Sequence, residues 1–131
     1  MLKLSYCLHR LPSMTREEFQ DYWRGTHAPL VAAAAPHLGI HRYVQSHTVD
    51  HPLAAATAAS RGIPSGDGED YDGIAELWIE EAAPGRDPTP EAQRHAALLA
   101  EDEANFIDFT RSRMIMAREH VVAEGEESRE K

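Results

Sequence analysis

The sequence predicts an α+β domain in which four antiparallel strands carry two helices on one face. Three observations lead there. Apolar residues alternate with period two in four separate stretches, two N-capped helical segments lie between the first and second and between the third and fourth of these, and the single cysteine, Cys7, leaves packing alone to hold the chain together. With 131 residues, 42% hydrophobic and 27% charged, the chain can bury one modest core and not two. Thirteen Lys and Arg stand against 22 Asp and Glu, for a formal net charge of −9. That balance excludes a phosphate backbone or an anionic membrane as a natural partner, because both need a basic face. The longest apolar stretch, residues 28–36, is interrupted by Pro29 and falls far short of the roughly 20 residues that cross a bilayer. A cytoplasmic location is the expectation, since no signal-peptide pattern opens the chain and no disulfide can form within it.

Residues 2–9 set Leu2, Leu4, Tyr6 and Leu8 against Lys3, Ser5, Cys7 and His9, the alternation of a half-buried strand. Thr15 followed by Glu18 is a capping box, and Phe19, Tyr22, Trp23, Thr26 and Leu30 continue at helical spacing. Pro29 lacks an N–H and presses on the carbonyl of Gly25, so this helix is expected to kink or break over residues 25–29, around His27. Residues 39–49 form a second strand with His41, Tyr43, Gln45, His47 and Val49 on one face. Residues 50–70 read as a long loop with a short helical turn at 53–59, a length that is often functional. Residues 71–80 alternate again, with Ile74, Glu76 and Trp78 on one side. Thr89-Pro90 opens a second helix, expected to run to about Ile107 over Ala92, Ala96, Leu99, Glu103 and Phe106. Residues 112–122 form the fourth strand, which makes residues 1–122 the domain and residues 123–131 an acidic, disordered tail.

The order is the βαββαβ pattern of a ferredoxin-like fold, a four-stranded antiparallel sheet with both helices on one face. The other face is left uncovered. Tyr43, Trp78, Met114 and Met116 are expected there, and pairing two such sheets in a homodimer would bury them.

The runs HRLPSMTREEFQDYW at 9–23, HAPLV at 27–31, RYVQSH at 42–47, DEANFID at 102–108 and EHVV at 119–122 resemble the EthD family of the dimeric α/β-barrel superfamily. The resemblance covers nearly the whole chain except the 50–70 loop and the tail. It implies a ferredoxin-like protomer pairing into a dimeric α/β barrel, with a pocket between sheet and helices for small apolar or aromatic molecules. Family members are linked to ethyl tert-butyl ether degradation. Relatives in the superfamily act as lactone isomerases, polyketide cyclases or dehydratases, monooxygenases and haem-handling proteins, so the resemblance does not by itself select a reaction.

His27 is the first candidate for chemistry, because imidazole passes protons in either direction near neutral pH and a disturbed helix turn aims it away from the regular ladder. The bland alternative is a structural histidine bonded to a carbonyl that Pro29 frees. His47 is the second catalytic candidate. It shares a strand face with Tyr43 and Gln45, at intervals of about 6–7 Å, and three such groups rarely face a dry core together. Tyr6, Trp23, Tyr43, Gln45, Glu76 and Trp78 are the expected substrate-binding residues, with core packing as the competing reading of the aromatics and a salt bridge as that of Glu76. Cys7 reads as a small buried thiol. Asp102 and Glu103 read mainly as solvated charge, with Glu103 able to reach the groove.

No metal site is expected. His37 with His41 and His47 with His51 are four apart where Gly39 and Pro52 argue against helix, and on a strand that spacing holds ligands about 13 Å apart. No Gly-rich loop or nucleophile elbow offers a cofactor cradle, so none is expected. The reading is a cofactor-independent enzyme, an oxidoreductase or an isomerase, cyclase or dehydratase, that acts by proton transfer on a lipophilic or aromatic small molecule. The alternative is a binding or accessory protein of a degradation or polyketide pathway, without catalysis of its own.

Overall fold

The structure, a computed structural model, describes residues 1–66, 68–81 and 88–126. Alternation in the first stretch becomes β1 (Leu2–Leu8), and the capping box then starts α1 (Arg16–Tyr22), with Thr15 Oγ1 accepting from the Glu18 N–H at 3.1 Å and Glu18 returning the bond at 2.9 Å. At the expected break the helix widens instead. Trp23–His27 form a π-helical turn in which the Ala28 N–H reaches back to the Trp23 carbonyl, and α2 (Ala28–Leu38) continues from it with Pro29 in its first turn. The wider turn accommodates the missing proline N–H and carries the helix on, so the expected break does not occur, and the disturbance falls on Trp23–His27. Gly39 ends α2 in the left-handed conformation at φ 67°.

The chain then forms β2 (Ile40–His47), α3 (Pro52–Ala59), β3 (Gly73–Ile79), α4 (Pro90–Glu103) and β4 (Arg113–Ala117). The turn expected at 53–59 is a full helix, capped by His51 Nδ1, which accepts from the Leu53 N–H at 3.1 Å. Helix α4 stops at Glu103 rather than near Ile107. The following residues are drawn into an extension of β1, with the Leu11 N–H bonded to the Phe106 carbonyl and the Asp108 N–H to the His9 carbonyl. Strand β4 is shorter than the predicted 112–122, its pairing with β1 ending at Ala117 opposite Lys3. The expected tail lies partly on residues 127–131, outside the described residues.

The sheet order β2-β3-β1-β4, with every neighbouring pair antiparallel, is the ferredoxin-like order. Opposed residues in such a ladder point to the same side. Leu4, Tyr6 and Leu8 of β1 therefore share the helix-covered face with Ala75 and Leu77 of β3, Tyr43, Gln45 and His47 of β2, and Met114 and Met116 of β4. Trp78 and Glu76 share the opposite face with Lys3. That corrects the sequence reading, which placed Tyr43, Met114 and Met116 with Trp78 on the uncovered side. The helix side holds the core of Leu8, Phe19, Trp23, Ala75, Phe106 and Ile107. Phe106 meets Phe19, Tyr22 and His27 with ring centroids 5.4, 5.1 and 5.0 Å away. Among the described residues no helix is long and apolar enough to cross a membrane.

Two devices tie the helices to the sheet. The Asp72 side chain, fully buried, accepts from the Arg10 N–H at 2.8 Å, Arg10 Nη1 at 2.6 Å and Arg16 Nε at 3.0 Å, just before β3 begins. The next residue must be glycine. A Cβ on Gly73 would overlap the edge of the Trp23 indole and stand 2.8 Å from the Ser46 carbonyl oxygen. The indole thus lies directly on the sheet backbone, and this close approach sets one wall of the site.

Candidate functional site

Between the sheet and the helices lies a pocket of about 130 Å³, walled by Leu4, Leu77, Val31, Leu99 and Met114 together with the aromatic rings of Tyr6, Trp23 and Tyr43. Its other lining residues include His27 and Glu103. The pocket is comparable in size to the roughly 150 Å³ apolar cavity that accepts benzene. Met114, on the edge strand and 56% exposed, forms its outer wall. No described residue of the 50–70 segment lines it. A larger groove of about 530 Å³, between the end of α2 and the start of α4, is lined by His37, Glu91 and Arg94 among others and lies away from these groups.

His27 is buried, at 4% exposure. Its Nδ1 stands 2.8 Å from Asp102 Oδ2, and Asp102 Oδ1 accepts from the Tyr22 hydroxyl at 2.6 Å and from Asn105 Nδ2 at 3.3 Å. Burial by itself would raise the Asp102 carboxyl, but the hydrogen bonds from Tyr22, His27 and Asn105 outweigh it and hold the group below its ordinary value. Asp102 is therefore ionised near neutral pH and can only accept, so the proton of a neutral His27 sits on Nδ1. Among the described residues nothing hydrogen-bonds His27 Nε2, which leaves that nitrogen a free acceptor on a pocket-lining residue.

Glu103, one residue on from Asp102, has the opposite environment. Burial among apolar neighbours pushes its carboxyl up to about 7, hydrogen bonding with Tyr6 pulls the other way, and the nearby charge of Asp102 adds to the rise. Tyr6 is pushed up to about 12 by burial and by the same carboxylate. Two adjacent carboxyl groups are thus shifted in opposite directions by their surroundings.

Behind Trp23 runs a second hydrogen-bonded chain. Gln45 Nε2 donates to the Trp23 carbonyl at 3.0 Å and to the Tyr43 hydroxyl at 3.0 Å, and Trp23 Nε1 donates to the same hydroxyl at 3.1 Å. With the Gln45 amide oriented by these bonds, its Oε1 must accept from His47 Nε2 at 2.8 Å, so His47 carries its proton on Nε2. Burial, and then the nearby Arg24, lowers the His47 pKa. The Tyr43 hydroxyl accepts twice and keeps its own hydrogen to donate; burial raises its pKa.

Of the residues singled out from sequence, His27, Tyr6, Trp23 and Tyr43 meet at the pocket. Gln45 and His47 do not line it, because the Trp23 ring stands in front of them, stacked on His47 at 4.5 Å between centroids. Glu76 and Trp78 lie on the opposite sheet face, where Glu76 pairs with Lys3, Trp78 Nε1 donates to Glu119, and the Arg42 guanidinium sits 4.6 Å from the Trp78 ring centroid. The reading of Asp102 as solvated charge is corrected, since Asp102 anchors His27, and Glu103 belongs to the pocket wall. A signal for Glu103 was present in the sequence as a lone carboxylate within the apolar stripe of α4. Asp102 carried none, because its partners Tyr22 and His27 are 80 and 75 residues away. Among the described residues no cluster of three or more His, Cys, Asp or Glu could hold a metal ion.

Comparison with known proteins adds the family. No curated protein matches the sequence. The chain is similar in fold to the crystal structure of an EthD family protein from Bacillus halodurans C-125, with a TM-score of 0.56 and 17% identity over 92% of this chain and 99% of that one. A family model described as the EthD domain matches residues 11–110, a span that takes in His27, Asp102 and Glu103, and on that match the chain belongs to the EthD family.

Proposed function

We propose that this chain is an enzyme that moves a proton on a small lipophilic molecule held between sheet and helices, with His27 as the base. The observation that carries this reading is the His27–Asp102 pair at the wall of a largely apolar pocket. A histidine fixed by an ionised carboxylate, with its second nitrogen free, is arranged for proton abstraction, whereas a purely packing histidine needs neither feature. The pocket volume favours a molecule of about one six-membered ring over a polycyclic one.

Exchange of the α-protons of cyclohexanone in deuterated buffer, followed by NMR, tests this. His27→Ala is expected to slow exchange by about 100-fold or more while the ketone still binds, and Asp102→Asn to slow it less. Saturable binding of the ketone by the unaltered protein, with exchange no faster than in buffer, would make the chain a binding or accessory protein instead.

We further propose that the protein works as a homodimer paired through the uncovered sheet face. Ile115 and Ile74 are exposed there on the face that carries Trp78, and among the described residues no helix covers that side of the sheet. Sedimentation is expected to show a dimer that Ile115→Arg converts to monomer, and a monomeric unaltered protein would end this reading.

A further inference from the structure

We infer that Glu103 is the catalytic acid opposite His27, and that the pocket takes a single-ring ketone whose oxygen Glu103 protonates while His27 removes a proton from the neighbouring carbon. This rests on His27 as the base and adds the second group and the substrate class.

The geometry singles out Glu103 among the carboxylates. Asp72 is held by Arg10 and Arg16, Glu76 and Glu119 by Lys3, and Glu81 by Arg118. Among the described residues no lysine or arginine pairs with Glu103, although it lines an apolar pocket. A carboxyl desolvated without a cation keeps its proton, and a neutral carboxyl is a donor that a ketone oxygen can use. The titratable groups facing it are Tyr6 from β1, Tyr43 from β2, His27 from the π-helical turn, and Asp102 on its own helix; β3 and β4 bring only Ala75, Leu77 and Met114. No lysine or arginine stands among them. Its carboxyl, pushed up to about 7 by burial, still holds the proton in weakly acidic solution. Tyr6, with its own pKa raised to about 12, keeps a hydrogen for the carboxylate that forms.

The step balances without a further reactant. His27 Nε2 takes the proton from the carbon beside the carbonyl, the C–H pair becomes the new C=C bond, and the former C=O π pair takes the Glu103 proton to give an enol. Return of the enol proton to Glu103, with delivery of the His27 proton to a different carbon, gives an isomerised ketone and restores both residues. A carbonyl compound with a β,γ double bond is the class that such a site converts to its conjugated isomer.

Two probes test the inference: infrared spectra of bound carbonyl-labelled cyclohexanone, and conversion of 3-cyclohexen-1-one to 2-cyclohexen-1-one followed by absorbance. The bound carbonyl band is expected at lower frequency than in buffer at about pH 5 and to lose that shift by about pH 8, as Glu103 ionises. Glu103→Leu is expected to abolish the shift at every pH and to slow isomerisation by about 100-fold or more. His27→Ala should keep the shift and lose the isomerisation. A shift that survives Glu103→Leu overturns the inference whatever His27 does, and so does absence of saturable ketone binding. A Glu103-dependent shift in a protein that neither exchanges nor isomerises the probes refutes His27 as the base, and with it the catalytic part of this inference.

Discussion

Asp72→Ala is expected to destabilise the fold by about 3 kcal/mol or more, lowering the thermal midpoint by about 10 °C. The side chain is fully buried and gathers the Arg10 backbone N–H and the Arg10 and Arg16 guanidinium groups. Its own backbone N–H bonds to the Leu8 carbonyl, and its carbonyl accepts from Thr48 and Gln20, so the residue joins β1, α1, the end of β2 and the start of β3. Removing the carboxylate strands two half-buried cations and a backbone donor at once. Burial alone would raise the Asp72 carboxyl, yet the bonds from Arg10 and Arg16 hold it below its ordinary value of 3.8. A depressed carboxylate contributes stability that is present above the unfolded value and is lost as pH falls through the folded one. Denaturant unfolding checks both parts: the variant should unfold at much lower denaturant at neutral pH, and its deficit should shrink as pH falls below 3.8. A variant within 0.5 kcal/mol of the unaltered protein, about the spread of an ordinary surface change, would show that the clamp is dispensable.

Glu103 has the opposite linkage. Its folded value of about 7 lies above the ordinary 4.5, so the stability it contributes is fully present below 4.5 and is lost as pH rises through about 7. The change amounts to about 2–3 kcal/mol between about pH 4.5 and pH 8. His9 and His47 work against it. Burial lowers both below 6.5, and they favour the folded state as pH rises towards that value. The effect of Glu103 is therefore read as a difference. Glu103→Gln, which keeps the shape and cannot ionise, should match the unaltered protein near pH 4.5 and exceed its stability by about 2–3 kcal/mol at about pH 8. Parallel stability curves for the two proteins would mean that Glu103 ionises freely, and the acid role would lose its support.

Much of the fold was legible because each signal was local. The Leu4, Tyr6, Leu8 alternation, the Thr15–Glu18 box and the Thr89-Pro90 start each depend on neighbours within a turn or a pleat, and each survives in the structure. The outcome at Pro29, a widened turn and not a break, was not legible, because a proline can be accommodated either way and the choice is set by what the turn packs against. Here the Trp23 carbonyl accepts from both the Ala28 N–H and Gln45 Nε2, and the Trp23 ring lies on Gly73.

The site divides in the same way. Sequence alone determined that His27 sits at a disturbed turn, that Tyr6 and Tyr43 occupy alternate strand positions, and that Glu103 interrupts an apolar stripe. Only the tertiary structure decided which sheet face the helices cover, and so put Tyr43 in the pocket and Glu76 and Trp78 outside it. It also decided that Asp102 meets His27 across 75 residues and that Trp23 screens His47 from the pocket. Periodicity fixes which residues share a face. Which face is buried, and which polar group lacks a partner once water is excluded, depends on how distant segments pack, and a carboxylate becomes an anchor or an acid only when those partners are in place.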